Sequence, residues 1–220
     1  MVVLAVVSLC VPVEAGYYLA GEFNGWNAGS DEMTDNGDGT YSLTITGLTD
    51  GQRGEFKVTQ GNWDWSTPGP NSWYYADVLG EVTVTFTPTP VADGWSPTEN
   101  RIAVSTDNGN WSVAGDFNGW NNSDAASVMN DIGGGVYMLS LNLSAGDYYF
   151  KPVYFGTWDS LSADGRSENT GNMHVITAIG QETVNIYLDE LNGAVKVDVV
   201  PEPATMGLLA LGGLLLRRRK

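Results

Sequence analysis

A single cysteine, Cys10, and a single histidine, His174, stand in a chain of 220 residues. Those counts leave no material for a disulfide framework or a Cys/His zinc site, and an ordinary Ser-His-Asp triad would rest on His174 alone. Basic residues are scarce as well: 10 Lys and Arg against 26 Asp and Glu, a formal charge of -16. Four of those ten close the chain as Arg217, Arg218, Arg219 and Lys220, so residues 16–200 hold a net -18. A body this acidic repels phosphate backbones, which argues against nucleic acid as a partner. Charged residues of either sign amount to only 16%, while Gly reaches 28, Trp 8 and Tyr 10. That mixture is too aromatic for a disordered acidic chain and reads as an all-β protein turned by glycine.

The two ends read as addresses. Residues 1–15, MVVLAVVSLCVPVEA, are apolar and close on a small residue, the pattern of an export leader cut before Gly16, though without the usual positive start. At the other end, Pro201-Glu202-Pro203 precedes the apolar run MGLLALGGLLL at 206–216 and then the basic cluster. The run is about half the length that spans a bilayer as a helix, and the cations would hold its end on the cytoplasmic side. Motif, run and Arg217, Arg218 and Arg219 in this order resemble the PEP-CTERM sorting signal of exported bacterial proteins. The resemblance implies recognition by an exosortase-type membrane enzyme. It also implies a short C-terminal hydrophobic helix, transient or permanent anchoring, and a location at the cell envelope or outside it.

The body repeats. Tyr18-Leu-Ala-Gly-Glu-Phe-Asn-Gly-Trp-Asn27 returns as Ser112-Val-Ala-Gly-Asp-Phe-Asn-Gly-Trp-Asn121. Further along, Phe56-Lys57 matches Phe150-Lys151, Trp63-Asp64 matches Trp158-Asp159, and Thr83-Val84 matches Thr183-Val184. Landmarks recurring in one order predict two copies of one domain, at 16–87 and 101–199. Between them residues 88–100, rich in Pro from Pro88 to Pro97, suit a semi-rigid linker. Within each copy the period is two: Tyr41, Leu43 and Ile45 alternate with Ser and Thr, as do Val82, Val84 and Phe86. Tyr137, Leu139 and Leu141, then Val184, Ile186 and Leu188, and finally Val195–Val199 continue the pattern. Turn clusters at 35–39, 133–135 and 144–147 separate these strands. Short strands so spaced predict a β-sandwich in each half.

The repeated block carries the candidate chemistry. Phe23 and Phe117 follow a strand and point to the core, whereas Trp26 and Trp120 follow Asn-Gly, where the chain turns at the surface. An indole face suits the apolar C–H face of a pyranose, with neighbouring amides and charges bonding its hydroxyls. The same spacing also suits Trp residues that cap the end of a sandwich. With the later Lys and Trp, the block resembles the glycogen-binding modules of carbohydrate-binding module family 48. These are immunoglobulin-like domains at the front of glycogen-branching and debranching enzymes and in the β subunit of AMP-activated protein kinase.

The resemblance implies two tandem immunoglobulin-like β-sandwich domains. It also implies sugar platforms of Trp26, Lys57 and Trp63 in the first copy, and of Trp120, Lys151, Trp158 and Asn185 in the second, where the first has Thr85. The partner implied is a polysaccharide, α-glucan favoured.

Other features weigh less. The acidic 35–40 loop reads as a hairpin turn rather than a calcium loop. Part of the aromatic stretch Trp63, Trp65, Trp73, Tyr74 and Tyr75 widens the first platform and part is core. His174 has no second ligand nearby and reads as an ordinary strand residue, so no metal or cofactor is expected. A glycosidase needs two carboxylates across a cleft, but two small sandwiches leave no room for a catalytic barrel. The expectation is a non-catalytic exported binding protein. The alternative is a structural or adhesive surface protein whose sandwiches have lost sugar binding.

Overall fold

The computed structural model describes residues 16–105, 110–168 and 170–200. The leader at 1–15, the residues Pro201, Glu202, Pro203, Arg217, Arg218 and Arg219, and the expected C-terminal helix lie outside the described residues. The rest is all-β. The first half contributes β1 (Tyr18–Gly21), β2 (Asp31–Glu32), β3 (Thr34–Asp35), β4 (Tyr41–Ile45), β5 (Arg53–Thr59), β6 (Ser66–Tyr75), β7 (Val82–Thr87) and β8 (Arg101–Val104). The second contributes β9 (Trp111–Gly115), β10 (Asn130–Gly133), β11 (Val136–Tyr154), β12 (Ser160–Ser162), β13 (Gly165–Ser167), β14 (Met173–Asp189) and β15 (Ala194–Val200). Helix among the described residues is limited to three short 3₁₀ turns.

In the first half the strands form two antiparallel sheets, β2-β1-β5-β6 and β3-β4-β7-β8. Period-two alternation sends Leu19, Phe56, Val58 and Tyr74 from one sheet, and Ile45, Val82, Val84 and Phe86 from the other, into a shared core. Ile102 and Val104 complete that core. They belong to β8, which pairs with β7 through Val84↔Val104 and Phe86↔Ile102. Residues 101–104, which the repeat reading put in the second copy, thus lie in the first half's sheet. The 35–40 loop closes the β3–β4 hairpin, with Asn36 N donating to Thr40 O at 3.0 Å.

In the second half the pairings recur, 94 residues on near the repeated block and 96 to 102 residues on farther along. Gly21↔Phe56 and Ala20↔Lys57 become Gly115↔Phe150 and Ala114↔Lys151. Tyr41↔Phe86 and Leu43↔Val84 become Tyr137↔Leu188 and Leu139↔Ile186. One element differs. The expected turn at Ser144–Asp147 is a register shift inside the continuous strand β11, opposite a matching irregularity in β14. Two long strands therefore run through positions where the first half has separate strands, because a bulge can bend a ladder without ending it.

The halves are docked. Trp73, from β6, is fully buried among Trp111, Leu161 and Phe150 in the second half's core. The Arg166 guanidinium lies 3.6 Å over its ring, and its Nε1 donates to Ser160 O at 3.1 Å. Tyr75 stacks on Tyr154 at 4.5 Å. Arg53 donates to both oxygens of the buried Asp159, at 2.8 and 2.7 Å, and the Tyr75 hydroxyl donates to the same carboxylate at 2.9 Å. The stretch at 88–100 is tied down as well: Arg101 donates to Asp93, Trp95 O and Pro97 O, and Ser96 bridges to Val195.

Candidate functional site

The glycines, Phe and first Asn of the repeated block each have a structural duty in the turn. A Cβ on Gly115 would lie 2.5 Å from Phe150 Cβ and 2.8 Å from Tyr149 O, and one on Gly21 only 2.4 Å from Glu55 O. Only glycine lets this strand pass so close to its neighbour. Phe117 and Phe23 pack against the two cores. Asn118 accepts from Gly115 N at 3.0 Å and donates to Val113 O at 2.9 Å, clasping the turn, and Asn24 does the same with Gly21 and Leu19. Gly25 and Gly119 then take left-handed conformations at φ 64° and 65°.

The tryptophans follow in the same region. Trp26 sits at φ 63° and Trp120 at φ 61°, the two non-glycine residues with positive φ among those described. Their amides donate back to Gly21 O and Gly115 O at 2.8 and 2.9 Å. A bulky side chain in the left-handed region costs on the order of 1 kcal/mol. Both copies bear that cost and keep the indole partly exposed.

In the second half Trp120 Nε1 donates to Asp116 Oδ1 at 2.8 Å, and the other oxygen of Asp116 accepts from Tyr149 N at 2.7 Å. Lys151, nearly buried on β11, holds its ammonium 5.6 Å from the Trp158 ring. Burial pulls the Lys151 pKa below its ordinary value, and the Asp164 carboxylate partly offsets that. Trp158 is 47% exposed.

In the first half the rings of Trp26 and Trp63 lie 6.3 Å apart at 39°, with Trp63 half exposed. Lys57 faces elsewhere. Its ammonium donates to Pro68 O at 2.8 Å and to Gly69 O, and burial lowers its pKa too. The structure therefore joins Trp26 with Trp63 and Lys151 with Trp158. It ties Lys57 to backbone carbonyls. Asn185 lies on β14 between Ser140 and Asp198 and takes a hydrogen bond from Ser140 Oγ at 2.6 Å. Of the aromatic stretch after Trp63, Trp65 packs on Tyr17 and Phe86, while Trp73 and Tyr74 are buried.

Two residues that the sequence reading did not assign to the site share its surface. Tyr149 stands two positions before Lys151 on the same face of β11 and is 46% exposed. His174, directly across the ladder, stacks on it with ring centroids 4.6 Å apart at 21° and bonds to Asp147. Alternation from Lys151 back to Tyr149 was the available signal; the cross-strand register that brings His174 alongside was not.

Comparison with known families places names on two stretches. Residues 108–195 match the pullulanase X25 domain. Residues 199–220 match the PEP-CTERM protein-sorting motif. The first match opens past β8 and takes in Trp120, Tyr149, Lys151, Trp158, His174 and Asn185. No curated protein matches the chain. No helix among the described residues is long and apolar enough to cross a membrane.

Proposed function

We propose that the chain is an exported, non-catalytic carbohydrate-binding protein that holds α-glucan of the glycogen or starch type. In this reading two immunoglobulin-like sandwiches present Trp120, Lys151 and Trp158 as the principal platform and Trp26 with Trp63 as a second. The observation that carries it is the strained pair Trp120 and Trp26. The turn that bears them is fully specified by its Gly, Phe and Asn residues, yet a bulky indole occupies the position where glycine would relax the backbone. Strain kept at a partly exposed aromatic is an argument for function.

The match to the pullulanase X25 domain supports sugar binding by the second half. The buried Lys151 ammonium beside Trp158 supplies a hydroxyl-bonding group at the edge of a stacking face. Two weak platforms on one repeating polymer gain through effective concentration. The sorting motif at 199–220 supports export and processing by an exosortase-type membrane enzyme, with Pro201-Glu202-Pro203 and the Arg217–Arg219 cluster as the elements it would recognise.

The test is native affinity electrophoresis of the full chain through gels with and without glycogen or soluble starch, beside Trp120→Ala and the Trp26→Ala/Trp120→Ala pair. Retardation by the polymer that falls in the single variant and vanishes in the double is the expected result. A folded wild-type chain that runs unretarded refutes the reading.

A further inference from the structure

The outer face of the β5–β6 ladder and that of its counterpart in the second half have opposite fates. In the first half that face carries Arg53, Glu55 and Lys57 on β5, with Trp73 opposite Glu55 and Tyr75 opposite Arg53. Trp73, Tyr75 and Arg53 are covered by the second half through Arg166, Tyr154 and Asp159. Shifted by the repeat, the same positions are Asp147, Tyr149 and Lys151 on β11, with His174 opposite Tyr149 and Ile176 opposite Asp147. Lys151 is buried, but among the described residues the remainder of this face stays open: Tyr149 and Ile176 are 46% and 63% exposed, and Asp147 and His174 are exposed beside them.

This open face is continuous with the Trp120 platform. One carboxylate, Asp116, accepts from the Trp120 indole at 2.8 Å and from the Tyr149 backbone amide at 2.7 Å, so a single side chain ties the Trp120 turn to the strand that carries Tyr149. Tyr149 is in turn braced by the nearly parallel His174 ring, which Asp147 holds by its Nε2. A braced ring loses little freedom when a ligand stacks on it, which is the condition for an effective aromatic anchor. The neighbouring Asp147 and Asp116 carboxylates are acceptors suited to sugar hydroxyls.

From this we infer that Tyr149 and His174 form an additional sugar subsite beside Trp120, so that the second half holds consecutive residues of a glucan chain across one sheet face. The inference rests on the carbohydrate-binding reading. It assigns the equivalent face of the first half to docking instead, where Trp73 and Tyr75 replace His174 and Ile176.

The experiment titrates the full chain calorimetrically with maltose and with maltoheptaose, in wild type, Trp120→Ala, Tyr149→Ala, Tyr149→Phe and His174→Ala, each shown folded by circular dichroism. Trp120→Ala weakens both ligands. Tyr149→Ala weakens maltoheptaose about five- to tenfold and leaves maltose within about twofold, while Tyr149→Phe keeps wild-type affinity and His174→Ala falls between. If Tyr149→Ala binds maltoheptaose like wild type while Trp120→Ala loses it, the subsite is overturned and the platform stands. If Trp120→Ala also binds normally, sugar binding at this site falls, and the subsite with it. A face used by a second copy of the chain would show concentration-dependent dimerisation abolished by Tyr149→Ala with unchanged sugar affinity, which also overturns the subsite.

Discussion

Trp73→Ala separates a docked molecule from two sandwiches on a string. The side chain is fully buried in the second half's core although its strand belongs to the first half. A buried Trp removes about 150–250 Å² from water, worth about 4–6 kcal/mol at ~25 cal/mol per Å². Measured truncations of this kind cost about 3–5 kcal/mol. The variant also strands Ser160 O, which Trp73 Nε1 now satisfies, and removes the ring under the Arg166 guanidinium. These losses overlap, so the expected destabilisation is about 4–5 kcal/mol.

Urea unfolding followed by fluorescence, with calorimetry alongside, measures it. The structure expects a fall in melting temperature of about 10–15 °C, concentrated in the transition of the second half, whose core loses a wall. Two independent beads would leave Trp73 on a surface, and its loss would cost about 0.5 kcal/mol or less. A change of that size, with both transitions unmoved, refutes the docking.

Two further outcomes are expected. Burial and the hydrogen bond to Asp159 raise the Tyr75 pKa above its ordinary value. The raised value means that its contribution is present below about pH 10 and is lost as pH rises toward the folded value, at most about 1.4 kcal/mol per pH unit. Tyr75→Phe should be about 1 kcal/mol less stable at pH 8 and show a shallower decline between pH 10 and 11; parallel declines in urea midpoints would contradict this. Trp120→Gly relaxes a backbone at φ 61° while giving up a partly exposed ring, so stability should stay within about 1 kcal/mol of wild type while glycogen retention falls. A loss of 3 kcal/mol or more in thermal melts would instead make Trp120 a cap on the sandwich.

The candidate site was half legible before folding. The Gly-x-Phe-Asn-Gly-Trp block marked its own turn, because a close-approach glycine, a clasping Asn and a left-handed Gly are local requirements written into adjacent residues. The fates of the two lysines were not legible. Phe56-Lys57 and Phe150-Lys151 are the same dipeptide in the same register, yet Lys57 is taken by the carbonyls of Pro68 and Gly69 while Lys151 lies beside Trp158. Asn185 illustrates the converse: its place on β14 follows from alternation, but its amide goes to Ser140 across the ladder. Tyr149 and His174 became neighbours through a pairing between residues far apart in the chain.

The all-β character, the recurrence of the block and the address at the C-terminus are properties of the sequence by itself, because period-two alternation, turn chemistry and short motifs act over a few residues. Three things were decided only in three dimensions. Arg101–Val104 joined the first half's sheet, since Ile102 and Val104 fill a core that β7 leaves open. Ser144–Asp147 became a register shift rather than a turn, since the ladder with β14 continues beyond it. Trp73 left its own half for the other's core, where Arg166, Trp111 and Ser160 receive it, while the equivalent His174 stayed in the open. Each depends on which distant surface meets a strand, and the free energy of that meeting belongs to the pair of surfaces rather than to either segment.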